Sequence, residues 1–284
     1  MPKLDLSRLT ILWVHAVNPW GFRHRRRVTE GNIDLNRNFD PHPTRLFDTT
    51  NDAYAELDDF LNPTMPVSLE KVDQAMAEVY ARASNIPRSR LRQAILQGQY
   101  QFPEGMYFGG RAFAPQKQPL EALLKEHIAE HQAVLTLDLH TGFGRRGHMH
   151  LFGAPGLGDP EAMAAVFDGY TIDTGANNED FYETTGDFIV YAGELSAGKT
   201  ALGVTLEYGT LDSQTELGAA QSLVNMRLEN QGFHHGYLDE AARDQAQAQF
   251  MEMFNPSDPA WRRTILDTTR SALPVWLERF VALP

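Results

Sequence analysis

Two apolar runs constrain this chain most, because each ends in one polar, chemically useful side chain followed by glycine. Ala133-Val134-Leu135-Thr136-Leu137-Asp138-Leu139-His140 runs into Thr141-Gly142, and Val204-Thr205-Leu206-Glu207 runs into Tyr208-Gly209. Runs of this length, bounded by turn residues, read as sheet strands. Open α/β sheets place ligands at strand carboxyl ends, so His140 and Glu207 stand where chemistry is done. Asp138 lies two residues before His140, on the same strand face. A carboxylate in an apolar run is costly to bury unless it is paired or used. Partial burial would also raise its pKa toward that of a general base.

Around these runs the periodicity predicts strands near 9–17, 148–153 and 187–192. Helices are predicted at 68–83 (capped by Ser68), 89–97, 119–131, 214–230, 237–254 and 273–281, with 40–66 and 98–119 mostly loop. Strands alternating with helices indicate an α/β fold with a largely parallel or mixed sheet, and no linker or repeat divides the 284 residues.

Composition narrows the chemistry. A net charge of −12 makes nucleic acid an unfavourable partner. The absence of cysteine excludes disulfides, thiol nucleophiles and thiolate metal sites, so a metal must sit on His, Asp or Glu. No apolar run approaches the roughly 20 residues of a membrane span, and the N-terminus reads as neither signal nor transit peptide, which gives a soluble cytoplasmic protein as the expectation.

A third segment adds recognition. Asn32-Ile33-Asp34-Leu35-Asn36-Arg37-Asn38-Phe39 puts an amide beside an arginine, just past an arginine cluster. A guanidinium fork matches a carboxylate in bidentate fashion, and Asn36 adds a donor next to it. Tyr182, in Tyr182-Glu183-Thr184-Thr185-Gly186-Asp187, sits on a glycine-flanked segment able to close over a ligand.

In the order Asn-Arg, strand-end His, Tyr-x-x-x-Gly, strand-end Glu, these segments resemble the zinc carboxypeptidase clan. They resemble most the DUF2817 branch of M14-like metallopeptidases. His15-Ala16-Val17-Asn18-Pro19-Trp20-Gly21-Phe22, Arg26 to Phe39, Gly98-Gln99-Tyr100, Gly105 to Gly110, Asp138 to Gly142 and Leu206 to Thr210 carry the likeness across nearly the whole chain. The resemblance implies a zinc-carboxypeptidase-like (phosphorylase/hydrolase-like) mixed sheet flanked by helices. It implies a hydrolase cleaving an amide next to a free carboxylate in a peptide or acyl amino acid. His140 would be the third ligand of one zinc ion and Glu207 the general base. Arg27, or Arg26 in its place, would stabilise the oxyanion. Asn36 and Arg37 would grip the carboxylate, and Tyr182 would cover the substrate. Thr29 stands where this branch is expected to have Asn.

One part of the pattern is missing. The clan's first metal motif, His-x-x-Glu, is expected upstream of Val14-His15-Ala16, and no such spacing occurs there. Catalytic zinc takes three protein ligands, and only His140 is recognisable; His148 and His150 read as packing or surface residues. The resemblance therefore implies one domain over 1–284 that is N-terminally incomplete and lacks its first strands, and that is inactive as it stands. The rival readings are a non-catalytic carboxylate-binding remnant and an N-acyl amino acid deacylase.

Overall fold

A computed structural model of the protein describes residues 6–174 and 184–284. Among the described residues four strands form one open mixed sheet in the order β1-β4-β2-β3: β1 (Ala133–Gly142), β2 (Met149–Phe152), β3 (Ile172–Asp173) and β4 (Thr200–Gly209). β1 and β4 pair in parallel along their whole length, with His140 opposite Glu207. β2 runs antiparallel to β4 and places His150 on the other side of Glu207. β3 is parallel to β2.

The helices are α1 (Pro19–His24), α2 (Pro43–Phe47), α3 (Asp52–Ala55), α4 (Asp58–Leu61), α5 (Leu69–Ala83) and α6 (Arg88–Leu96), then α7 (Lys117–Ala129), α8 (Pro160–Val166), α9 (Phe188–Leu195), α10 (Glu216–His235), α11 (Glu240–Phe254) and α12 (Pro259–Val281). Among the described residues no helix is long and apolar enough to cross a membrane.

Alternation along β4 sorts the sheet into two faces. Leu202, Val204, Leu206 and Tyr208 join Val166, Phe167, Trp276 and Phe280 of the α8 and α12 region in one buried cluster, with Leu135 and Leu137 of β1 packed against it. Burying each such side chain is worth roughly 1.5–3 kcal/mol, so this face anchors the sheet. The opposite parity carries Thr136, Asp138 and His140 on β1, and Gly203, Thr205 and Glu207 on β4. A Cβ added at Gly203 would lie 3.7 Å from the Ile189 side chain, so α9 covers the upper part of this second face. Its carboxyl end is polar and becomes the floor of a cleft.

Three expectations are corrected. Residues 9–17 form no strand: they are non-helical, non-strand backbone with Ile11 56% and Trp13 67% exposed. Strand preference is realised only against a paired neighbour, and this segment has none among the described residues. Residues 187–192 are helical, because Asp187 caps α9 by accepting from Ile189 N. A short run apolar on every side carries no period with which to choose strand over helix, so the cap decides. Finally, α12 begins at Pro259 rather than near 273, its N-terminus capped by Asp258. The expected helices at 68–83, 89–97, 119–131, 214–230 and 237–254 are present to within a few residues. Short helices α2 to α4 occupy part of the expected 40–66 loop, and α8, capped by Asp159 ahead of Pro160, was not anticipated.

Candidate functional site

The strand register does the first placing. Because His140 and Glu207 are cross-strand partners at the carboxyl ends of β1 and β4, their side chains meet on the second face, with His140 Nδ1 3.5 Å from Glu207 Oε2. Asp138, two residues back, reaches the other ring nitrogen, with Nε2 2.8 Å from Asp138 Oδ2. Glu207 is held from behind, its Oε1 accepting from Phe143 N at 3.0 Å. Burial pulls the His140 pKa down, but the charge and hydrogen bond of Asp138, with help from Glu207, overcome it and hold the value well above that of a free histidine. The ring thus has a carboxylate facing each nitrogen, hydrogen-bonded at Nε2 and 3.5 Å away at Nδ1.

The second wall is the 29–39 segment. Thr29 Oγ1 accepts from Ile33 N and closes a turn whose Asn32 has φ of 61°. Thr29 therefore has a structural reason to be there. Asp34 Oδ1 accepts from Asn36 N and starts the 3₁₀ turn Leu35–Arg37. Asn38 donates to the carbonyls of Gly109 and Ala112 and accepts from Ala114 N, pinning the wall to the loop before α7.

On this scaffold Arg27 donates through Nε to Asp34 Oδ2 at 2.9 Å, with its guanidinium 5.2 Å from the Tyr107 ring centre. Asp34 is buried; burial would raise its pKa, but Arg27 and Arg37 hold it below the usual carboxylate value. Arg26 also lines the cavity but pairs with Glu229 and stacks 3.4 Å over Phe233, so of the two arginines Arg27 is the one bonded to Asp34.

Arg37 is 2% exposed. Its Nε and Nη2 donate to the Leu96 carbonyl and its Nη1 to the Asn36 carbonyl. A guanidinium has five N–H groups, so these bonds use three and one on each Nη remains. Asn36 gives Nδ2 to Asp187 Oδ2 at 3.2 Å and accepts from Phe188 N at 2.9 Å. Arg27, Asn36, Arg37, His140 and Glu207 all line one cavity of about 1660 Å³. Tyr182 lies outside the described residues.

Asp187 was not singled out from the sequence as a site residue. It caps α9, accepts from Asn36, lines the same cavity, and has its pKa raised by burial and by Asp138. The signal was there in Gly186-Asp187 ahead of an apolar run, which is an N-cap pattern.

The described residues do not by themselves compose a zinc site. Among the described residues no three His, Asp or Glu are grouped to hold a metal ion. Both nitrogens of His140 face carboxylates. His150 shares the row with Glu207 but accepts from Arg145 N and stacks on Phe152. The one His-x-x-Glu spacing in the chain, His127 to Glu130, falls at the end of α7, where His127 bonds the Leu123 carbonyl, and neither residue lines the cavity.

No curated protein and no solved structure matches the chain. A family model described as "Protein of unknown function (DUF2817)" matches residues 1–268. That span is nearly the full length and contains every residue of the cleft described above, so the chain belongs to the DUF2817 family.

Proposed function

We propose that the cleft recognises a ligand bearing a free carboxylate next to an amide, and that its layout is that of an M14 carboxypeptidase-type hydrolase. The observation that carries this is the convergence of Arg27, Asn36 and Arg37 with the His140–Glu207 pair on one cavity at strand carboxyl ends. The donors left on Arg37 are already oriented by bonds to Leu96 and Asn36, so a carboxylate meets a fork that loses little freedom on binding. Glu207 is the group able to take a proton from a water attacking the amide, and Arg27 the cation able to steady the resulting oxyanion. Hydrolysis of this type also uses zinc, which requires ligands beyond His140.

A second reading is a binding module without hydrolysis. The clamping of His140 between Asp138 and Glu207 favours it.

Calorimetry with an acyl amino acid and its amide tests the shared part: the acid should bind at least tenfold more tightly, as expected for a charge-assisted fork. Equal affinities would sink both readings. Elemental analysis for zinc and product detection then separate them. Stoichiometric zinc with turnover lost in Glu207→Gln supports the hydrolase. Acid binding without zinc or turnover supports the module.

A further inference from the structure

We infer that the ligand is an amphiphile, an N-acyl amino acid whose aliphatic chain lodges in an apolar chamber next to the carboxylate grip. This rests on the carboxylate-binding reading above and names the substrate class within it.

The cavity is larger than that reading needs. Small-molecule sites usually span about 300–1,000 Å³, against about 1660 Å³ here. The surplus is lined by Leu91 and Ile95 of α6, Leu223 and Met226 of α10, and Phe250 and Met253 of α11. These six belong to a single apolar cluster, so the lining is one continuous surface. Methionines among aliphatic and aromatic neighbours give a wall that adapts to a flexible chain.

Two contacts place the chamber directly beside the polar site. Tyr107 is a member of the same apolar cluster, and its ring lies 5.2 Å from the Arg27 guanidinium and 5.7 Å from that of Arg37. At the other end, a Cβ added at Gly142 would lie 3.6 Å from Glu207 Oε1 and 3.7 Å from Phe254 Cε1. The carboxylate of Glu207 and the apolar wall thus face the same small volume. An amide there would have its acid half toward Arg37 and its acyl half toward α6, α10 and α11.

The apolar part of the wall favours a hydrocarbon over a peptide, although Tyr80, Arg92 and Glu216 also line the cavity. A peptide extended into the chamber brings amide groups that lose water and need partners. The helices lining it bond their own backbone groups along the helix. Ser84 and Ser222, which also line the cavity, direct their hydroxyls to the Ala81 and Gly218 carbonyls. An alkyl chain has no such requirement.

The test is calorimetry of the full chain with hexanoyl-, octanoyl- and decanoylglycine, the three matching glycinamides, and a tripeptide of apolar residues with a free carboxyl end. Affinity of the acids should rise about fourfold per methylene, on the order of 200-fold from hexanoyl to decanoyl. Decanoylglycine should also bind far more tightly than the tripeptide. Ala220→Trp, on the cavity face of α10, should remove the decanoyl advantage while hexanoylglycine binding holds. Should that variant not fold by circular dichroism, Ala83→Trp at the end of α5 probes the same space. A flat chain-length series with acids still preferred over amides overturns the acyl inference and leaves the carboxylate reading standing. Acids and amides binding equally overturns both. Tripeptide binding as tight as decanoylglycine, or a decanoyl advantage undiminished in a folded tryptophan variant, also overturns the inference.

Discussion

Replacing Arg37 with methionine separates what this residue does for the fold from what it offers a ligand. The Leu96 and Asn36 carbonyls are served by the Arg37 guanidinium, and the Arg37 side chain is buried. Methionine fills much of the space but donates nothing. Two stranded carbonyls at about 1–3 kcal/mol each give a loss of roughly 2–6 kcal/mol, and about 3–4 kcal/mol is the working figure. Asp34 would also lose one of the two cations that hold its pKa down, leaving a buried carboxylate with Arg27 alone. For a chain of this size about 2–4 °C of melting temperature corresponds to each kcal/mol, so Arg37→Met should melt on the order of 10 °C lower. The assay is a thermal melt followed by circular dichroism at fixed pH and ionic strength, against the parent and against Arg111→Met. Arg111 is exposed, with one long bond to the Gln101 carbonyl, and serves as the control. A melting point within about 2 °C of the parent would refute the reasoning, because it would mean that the Leu96 and Asn36 bonds contribute nothing and that the whole guanidinium is a ligand group.

Three further outcomes follow from particular contacts. Gly186→Ala places a Cβ 2.5 Å from the Arg37 carbonyl carbon at a φ of 72°, whereas Gly156→Ala, at 74°, meets nothing within 4 Å; denaturant melts should show strain alone, about 1–2 kcal/mol, at Gly156 and a clearly larger loss at Gly186, and equal losses would count against the packing argument. Trp276→Ala, at 0% exposure in the cluster beneath the sheet, should cost about 3–5 kcal/mol, read as a fall in the urea midpoint, and a loss under about 1 kcal/mol would show that the α12 face does not anchor the sheet. Glu121 is held at about 2 by hydrogen bonds from Lys125 and Tyr191 and by Lys117, against the upward pull of burial; since this lies below its ordinary value, the stability it contributes is present above about 4.5 and is lost as pH falls through about 2. Glu121→Gln should therefore flatten the acid limb of a stability–pH profile, and superimposable limbs would remove the claim.

The fold was legible where a segment carried its own signal. α5 shows apolar positions at helical spacing behind Ser68, and β1 and β4 show apolar runs ending in glycine. It was not legible where structure depends on a neighbour. Leu9 to Val17 is as apolar and β-branched as a strand, yet a strand needs a partner row of donors and acceptors, and local composition does not say whether one is present. For 187–192 the length and apolarity fit both states, and one capping side chain, Asp187, settled the matter.

At the site the difference is between position and partners. That His140 and Glu207 end neighbouring strands could be expected, since α/β sheets collect ligands there, and parallel register then makes them face each other. What no spacing showed is that these polar side chains of the cleft are already held within the protein: Arg27 by Asp34, Asn36 by Asp187, Arg37 by two carbonyls, His140 by Asp138 and Glu207. These bonds join residues up to 151 positions apart, so they are invisible to local reading. They also change what the arginines mean. An arginine with all donors free would be a flexible surface charge, whereas Arg37, fixed by Leu96 and Asn36 with one N–H on each Nη remaining, presents its charge in one orientation. On the proposed carboxylate-binding reading, the same bonds that hold Arg37 in the fold are the ones that would make it selective for a planar carboxylate.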